Sequence, residues 1–350
     1  MNKFLIEKSL TIRDAMQYLE DTGLKCLIIN DGKKLLGTLT DGDMRREILK
    51  GKKFSETIES CYNKNPIVIN TNQASELDIQ KFLIEKKIFA VPIIDKSNMI
   101  LDVITLDTIN EDGILISQKK IINIPVVIMA GGRGRRLKPF TDLLPKPLIP
   151  INDKTFIENI IDRFTSIGCN DFFLSVNHKK KIIKAYFEEL NPSYNIRYIE
   201  EKKPLGTAGS LRLFDINESI GSVFVTNCDI IVKTSYYDIY QFHIENDYDL
   251  TLVASDKEFI LPYGTCVLNE NGLLESIEEK PKYEFLINTG LYIIKTSLLK
   301  NIPENKQYDI THLIEDSILK EKKIGVFPVN ENSYFDTGDW AEYKKTLENL

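Results

Sequence analysis

The apolar run PVVIMA (125–130) ends directly on glycine, with Gly131, Gly132 and Gly134 following at once. A short, uninterrupted apolar segment bounded by glycine fits a parallel strand buried on both faces, not a strand with one wet face. Helices must then cover it, and the downstream sequence supplies them. DFFLSV (171–176), NIRYI (195–199), SVFVTN (222–227) and DLTLVA (249–254) are further strand-like runs, with helical patterns at 155–167 and 179–190. This alternation predicts an open, mixed but mostly parallel α/β sheet of Rossmann-like type over residues 125–350. Ligands of such sheets bind beyond the carboxyl ends of the strands, near the reversal of strand order.

The stretch MAGGRGRRLKPFTDLLPKPLIPI (129–151) follows the first strand and so lies where that rule places a ligand. Arg133, Arg135, Arg136, Lys138 and Lys146 face a single acidic residue, Asp142, in a chain whose net charge is −6. Glycines let the backbone approach an anion and present N–H groups to it. Positive charge gathered there suits a polyphosphate, with a solvated basic turn as the plainer alternative. The P-loop pattern G-x-x-x-x-G-K-[ST] is absent, and G-x-G-x-x-G breaks at Leu137. An overall acidic chain gives no indication of nucleic-acid binding.

Residues before 116 have a different texture. CLIINDGKKLLGTLTDGD (26–43) aligns with VPIIDKSNMILDVITLDT (91–108), placing Thr40 opposite Thr105. Each copy has the pattern helix, buried strand, Asp-containing turn, second strand; Ile12, Ala15, Met16 and Leu19 have helical spacing. Two copies of a unit too small to bury its own core imply a paired module. The expected boundaries are 1–115 for the pair (1–58 and 59–115), 116–124 for a linker, and 125–350 for the α/β domain.

The five scattered cysteines form no C-x-x-C pair, which fits a reducing cytosol rather than a disulfide framework or a structural zinc site. No signal-peptide pattern opens the sequence and no apolar run approaches bilayer length, so a cytoplasmic protein with no membrane contact is expected. His178, His243 and His312 show no metal spacing, so surface or helix positions are expected for them.

Residues 129–151 resemble the signature of the sugar-nucleotide pyrophosphorylases, nucleotidyltransferases acting on sugar 1-phosphates: AGG-x-G-x-R-L-x-P-x-T followed by PKPL-x-P. The resemblance implies a GT-A type fold in which Ala130, Gly131, Gly132 and Gly134 hold the nucleoside triphosphate. It assigns Arg136 to the triphosphate and leaving pyrophosphate, and Lys146 to the phosphates at the reacting centre. EEKKPLGTAGSL (200–211) resembles the family's base-binding segment, carried by Gly206, Thr207, Ala208 and Gly209; a helix N-terminus capped by Gly-Thr explains the same residues. Asp229, just beyond an apolar strand, and Asp336 of FDTGDW resemble the two carboxylates that ligate Mg²⁺. PYGT (262–265), IEEKP (277–281) and INTGLY (287–292) resemble the sugar-phosphate segments, implying roles for Gly264, Glu279, Lys280 and Asn288. Lys280 joins Arg136 and Lys146 as a catalytic cation on this reading.

The N-terminal third resembles a tandem CBS-domain pair, an α+β module. In that family a Thr/Ser-x-x-Asp at the end of the second strand contacts an adenine nucleotide's ribose and phosphate. Thr40 and Asp43 have that spacing; in the second copy Thr105 is followed by Thr108, with Asp107 adjacent. A packing or homo-oligomerising module without ligand is the alternative.

The reaction this resemblance implies is attack of a sugar 1-phosphate oxygen on the α-phosphorus of a nucleoside triphosphate. PLGTAG is most similar to the guanylyltransferases, which points to GTP. A CBS pair fused to such a domain resembles enzymes of legionaminic-type acid biosynthesis, which points to glucosamine 1-phosphate, with mannose, N-acetylglucosamine or heptose 1-phosphate as alternatives. A non-catalytic, nucleotide-sensing regulatory subunit is the rival from another class. An acyltransferase tail is not expected, because no hexapeptide repeat follows Trp340.

Overall fold

The computed structural model describes residues 2–71, 79–86, 88–105, 121–214 and 221–349. They belong to two compact units: Met1–Gln118 with Asp256–Phe285, and Lys119–Ser255 with Leu286–Leu350. The proposed linker 116–124 lies mostly outside the described residues, as do Asp107 and Thr108.

The larger unit is built on a seven-stranded sheet. From one edge its order is Asn195–Glu200, Asp171–Val176, Val126–Met129, Ser222–Asn227, Lys282–Lys295, Leu250–Ile260 and Ile324–Val329. The first four run parallel, as do the last two, while Lys282–Lys295 is antiparallel to Ser222–Asn227. This is the mixed, mostly parallel α/β sheet expected from the sequence. Val126–Met129 is flanked on one side by Asp171–Val176 and on the other by Ser222–Asn227, so the strand order reverses there.

Burial on both faces explains the unbroken apolar composition of that strand. Val126 and Ile128 enter a core with Phe156, Phe164, Phe172 and Phe224, whereas Val127 enters a second core with Leu211, Val225, Leu250 and Tyr292. Alternate residues thus serve opposite layers. The helix Phe156–Thr165 covers the first layer with Phe156, Ile157, Ile160, Ile161 and Phe164; Thr155 and Glu158 cap it reciprocally. Phe164 meets Phe224 and Tyr236 edge-on, with centroids 5.1 and 4.7 Å away.

His243 lies in the helix Tyr236–Glu245 and is fully buried. Its Nδ1 is 2.9 Å from Thr251 Oγ1 and its Nε2 3.1 Å from Ser222 Oγ. Burial pushes its pKa down to about 4, so the folded protein holds a neutral ring where the unfolded chain takes up a proton below pH ~6.5. Stability is therefore expected to be undiminished by this group above pH ~6.5 and to fall by about 2–3 kcal/mol as the pH drops toward 4. Urea midpoints measured across that range should show a slope that His243→Gln flattens; an unchanged slope would assign the acid sensitivity elsewhere.

In the smaller unit, Leu5–Glu7 pairs parallel with Cys26–Asp31, which pairs antiparallel with Lys34–Thr40. A second sheet repeats the order: Ile69–Asn70 parallel with Ala90–Ile94, antiparallel with Ile100–Thr105. Ile12, Ala15, Met16 and Leu19 of the helix Ile12–Thr22 are buried, as the helical spacing predicted. The two hairpin turns interlock: Leu35 N donates to Asn98 O, and Asn98 Nδ2 donates back to Leu35 O, each at 3.0 Å. No helix among the described residues is long and apolar enough to cross a membrane.

Candidate active site

The strand-order reversal brings chemistry-bearing loops to one end of the seven-stranded sheet. The glycine loop leaves the carboxyl end of Val126–Met129, Asp229 follows Ser222–Asn227, and the Gly206 segment follows Asn195–Glu200. Ala130 N donates to Ser175 O, which seats the start of the glycine loop on the neighbouring strand. Gly134 is left-handed, with φ 60° and ψ 34°. A Cβ there would lie 2.8 Å from Thr141 Cγ2 and 3.1 Å from Lys146 Cβ, whereas one on Gly132 would meet nothing within 4 Å.

Lys146 is buried (8% exposed) and its ammonium pairs with Asp229. Asp229 in turn is held against Asp336 by a short antiparallel ladder, Ile230–Val232 with Tyr334–Asp336, in which Ile230 faces Asp336. Thr337 fastens the join, its N and Oγ1 donating to Asp229 O at 2.8 and 2.7 Å. Arg136 completes the group. A Cβ on Gly338 would lie 2.7 Å from Asp336 Oδ1 and 2.8 Å from an Arg136 guanidinium nitrogen. The closing segment also grips the glycine loop, since Trp340 Nε1 donates to Lys138 O at 2.7 Å. Of the other cations in the loop, Lys138 pairs with Asp142 at 3.0 Å, and Arg133 and Arg135 are exposed.

Burial holds the Asp336 carboxyl above the usual carboxylate range, and neighbouring Asp229 raises it further. The Gly338 N–H, Lys146 and Arg136 pull it back. Two carboxylates side by side, one desolvated, form a donor set that gains from a hard divalent cation. Among the described residues no group of three or more His, Cys, Asp or Glu side chains could hold a metal. The pair alone would leave most coordination positions to phosphate oxygens and water, the usual situation for an ion bound together with a phosphorylated substrate.

The Gly206–Gly209 segment is braced from behind. Thr207 N donates to Asp309 Oδ1 at 3.0 Å, and Ala208 N and Gly209 N donate to Tyr308 O at 3.0 and 2.8 Å. Thr207 Oγ1 accepts from Ile310 N at 2.9 Å, and the short helix Gly206–Gly209 has no side-chain cap. A Cβ on Gly206 would lie 2.5 Å from Asp309 Oδ1, and one on Gly209 2.9 Å from Lys306 O. These two glycines are thus required by the close approach of the 306–309 segment, including Tyr308 O at 2.8 Å from a Cβ on Gly206, with φ +80° at Gly206 adding to the demand.

Two residues with clear positions here carry little sequence signal. Glu201 is buried (8% exposed); it accepts from Ser175 Oγ at 2.8 Å and from Leu205 N at 3.0 Å, and a Cβ on Gly131 would come within 3.1 Å of it. It therefore ties the strand Asp171–Val176 to the residue before the Gly206 segment, and its carboxylate lies close against Gly131 of the glycine loop. Asp309 is the second. Both sit in polar stretches that read as solvated surface, and only their long-range partners reveal the role.

Asn288 Oδ1 accepts from Gly290 N at 3.0 Å, and a Cβ on Gly290 would lie 2.4 Å from Asn227 Nδ2. Gly264, Glu279 and Lys280 belong to the other unit. There a Cβ on Gly264 would lie 2.9 Å from Glu279 Oε2, and Lys280 has a left-handed φ of 50°. Thr40 and Asp43, also in that unit, bond to each other. Thr40 N and Oγ1 donate to Asp43 Oδ2 at 2.8 and 2.6 Å, forming a capping box on the helix Asp41–Leu49. Their spacing has a sufficient structural cause in that cap.

Residues 125–350 match the nucleotidyl transferase family, and residues 2–50 match the CBS domain family. Mannose-1-phosphate guanyltransferase of Pichia angusta is 31% identical over 210 residues, 57% of this chain and 57% of that protein. D-glycero-alpha-D-manno-heptose 1-phosphate guanylyltransferase of Campylobacter jejuni is 31% identical over 228 residues, 64% of this chain and 98% of that protein. The chain spans 57–61% of the length of three fungal mannose-1-phosphate guanyltransferases. In fold it is similar to the crystal structure of HddC from Yersinia pseudotuberculosis, at 24% identity and a TM-score of 0.50, covering 64% of this chain and 98% of that one. The chain belongs to the nucleotidyl transferase family and carries a CBS domain in its first 50 residues.

Proposed function

We propose that the protein transfers GMP from GTP to a sugar 1-phosphate, releasing pyrophosphate. The observation that carries this reading is the convergence of Arg136, Lys146, Asp229 and Asp336 beside the glycine loop at the strand-order reversal. GTP is favoured by the PLGTAG segment and by relatives named as guanylyltransferases for mannose and heptose 1-phosphates. Glucosamine 1-phosphate is the first choice of acceptor, on the strength of the CBS fusion, ahead of mannose, heptose and N-acetylglucosamine 1-phosphates.

A sugar 1-phosphate is largely dianionic near neutral pH, since the second pKa of a phosphate ester is about 6. Its oxygen forms a bond to the α-phosphorus of GTP while the bond from that phosphorus to the β-bridging oxygen breaks. No general base is required. The barrier lies in bringing two polyanions together in line, so positioning and charge neutralisation dominate. In this reading Ala130, Gly131, Gly132 and Gly134 cradle the triphosphate, and Arg136 and Lys146 neutralise it. Gly206–Gly209 support the base. Gly264, Glu279 and Asn288 hold the sugar, and Lys280 its phosphate. Asp229 and Asp336 would hold Mg²⁺, which when bound neutralises phosphate charge.

Pyrophosphate release measured with four nucleoside triphosphates against these sugar 1-phosphates tests the proposal. Release with GTP and at least one acceptor is expected; no release in any combination would remove the enzyme reading and leave a nucleotide-sensing subunit. Asp309→Ala is expected to raise the KM for GTP roughly tenfold with a smaller change in kcat, because a charge-assisted hydrogen bond to the base-supporting segment is lost. Asp309→Asn, which keeps the accepting oxygen, should recover most of that loss. An unaltered KM in Asp309→Ala would show that the segment keeps its shape without this brace.

A further inference from the structure

The segment Asp256–Phe285 departs from the seven-stranded sheet along the strand Leu250–Ile260 and returns along Lys282–Lys295, yet it groups with the N-terminal unit. Its tip is an exposed two-stranded ribbon, Thr265–Leu268 with Leu274–Glu278. A lone pair of strands is marginal in water and depends on what grips it. The grip observed is at its base. Arg13, in the first turn of the helix Ile12–Thr22, donates through Nε to Asp256 Oδ2 at 2.7 Å on the outgoing leg. It donates through NH2 to Glu284 Oε1 at 3.1 Å on the returning leg, and its NH1 is 3.6 Å from Glu258. Leu261 N donates to Pro281 O at 3.1 Å, joining the same two legs.

One guanidinium thus bridges both strands of the arm where it leaves the sheet. Asp256 is 1% exposed and the Glu284 side chain 12%. Two desolvated carboxylates on facing legs repel unless a cation sits between them, and the planar fork of arginine suits that place better than an ammonium. Lys282 offers a further cation, 3.2 Å from Glu258. Arg13 itself is fixed by its helix, since its N donates to Phe54 O at 3.0 Å and Thr11 caps the turn.

We propose that Arg13 is a positioning residue: through it the N-terminal module holds the arm carrying Gly264, Glu279 and Lys280, and so sets the affinity for the sugar 1-phosphate. The inference rests on reading those three residues as the sugar-phosphate contacts. It gives the N-terminal module a mechanical role in substrate binding that needs no nucleotide within the module.

The test uses the full-length protein with GTP and the acceptor that supports turnover. Arg13→Ala is expected to raise the KM for the sugar 1-phosphate roughly tenfold while the KM for GTP stays within about twofold. Arg13→Lys should restore part of the difference. Amide hydrogen exchange should quicken across 261–281 in Arg13→Ala and stay unchanged in the sheet strands 126–129 and 171–176. An unchanged acceptor KM, or equal rises for both substrates, would overturn the proposal. If the wild type turns over no substrate pair, the activity reading fails on its own, and unaltered exchange across 261–281 would separately overturn the clamp. Should Arg13→Ala not fold, Glu284→Gln removes one leg's charge at constant shape and is expected to shift the same KM in the same direction.

Discussion

Asp229→Asn is expected to lower kcat by at least about 100-fold while leaving the fold intact. The side chain pairs with the Lys146 ammonium and lies beside the Asp336 carboxylate. Removing its charge deprives a cation of one of two anionic ligands and leaves Lys146 without its counter-charge. Both losses bear on the charge distribution of the transition state more than on ground-state binding, so kcat should fall and the KM for GTP should move little. The fold should tolerate the change because the bonds that knit the two segments run to the Asp229 backbone oxygen, which asparagine retains. The lost ion pair is offset in part by relief of repulsion on Asp336, so the thermal midpoint should shift by no more than a few degrees. Turnover within tenfold of wild type, at saturating substrates, would remove Asp229 from the metal-holding role.

The contrast between Asp229 and its neighbours shows what the sequence makes legible. The strand Val126–Met129 announces itself because burial on two faces forces every residue to be apolar, and glycine ends it. The helix Phe156–Thr165 is equally legible through its spacing. Lys282–Lys295 is not, because its first half is largely exposed and its second half buried, so neither alternation nor a uniform apolar run marks it. The meeting of Asp229 with Asp336 depends on a ladder between segments far apart in the chain; no local pattern encodes that register, and resemblance alone nominated the pair. Glu201 and Asp309 were illegible for a related reason. A carboxylate whose partner lies far along the chain, Ser175 Oγ for Glu201 and Thr207 N for Asp309, has the same local sequence as one in water. Thr40 and Asp43 show the converse, a legible spacing with two causes, of which the helix cap is visible in the structure.

Gly134→Val is expected to be the second most damaging change, lowering kcat/KM by roughly 100-fold with a fall in thermal midpoint. A β-branched residue at φ 60° is a backbone outlier costing on the order of 1–3 kcal/mol. Its Cβ would also press on Thr141 Cγ2 and on Lys146 Cβ. Thr141 cannot yield freely, since its Oγ1 donates to Gly134 O at 2.9 Å and so fixes the turn that brings Lys146 round. The displacement must therefore pass to Lys146, whose ammonium is seated on Asp229, and a shift of an ångström there is enough to spoil an in-line geometry. Gly132→Val separates this cause from ligand contact. Its Cβ meets nothing within 4 Å, so it should leave the midpoint unmoved and weaken GTP binding alone if the nucleotide lies against that backbone. Equal midpoints for Gly134→Val and wild type, with activity retained, would show that the loop relaxes around the added side chain, and that Lys146 is placed by the Pro-flanked turn at 145–147 and not by the glycine.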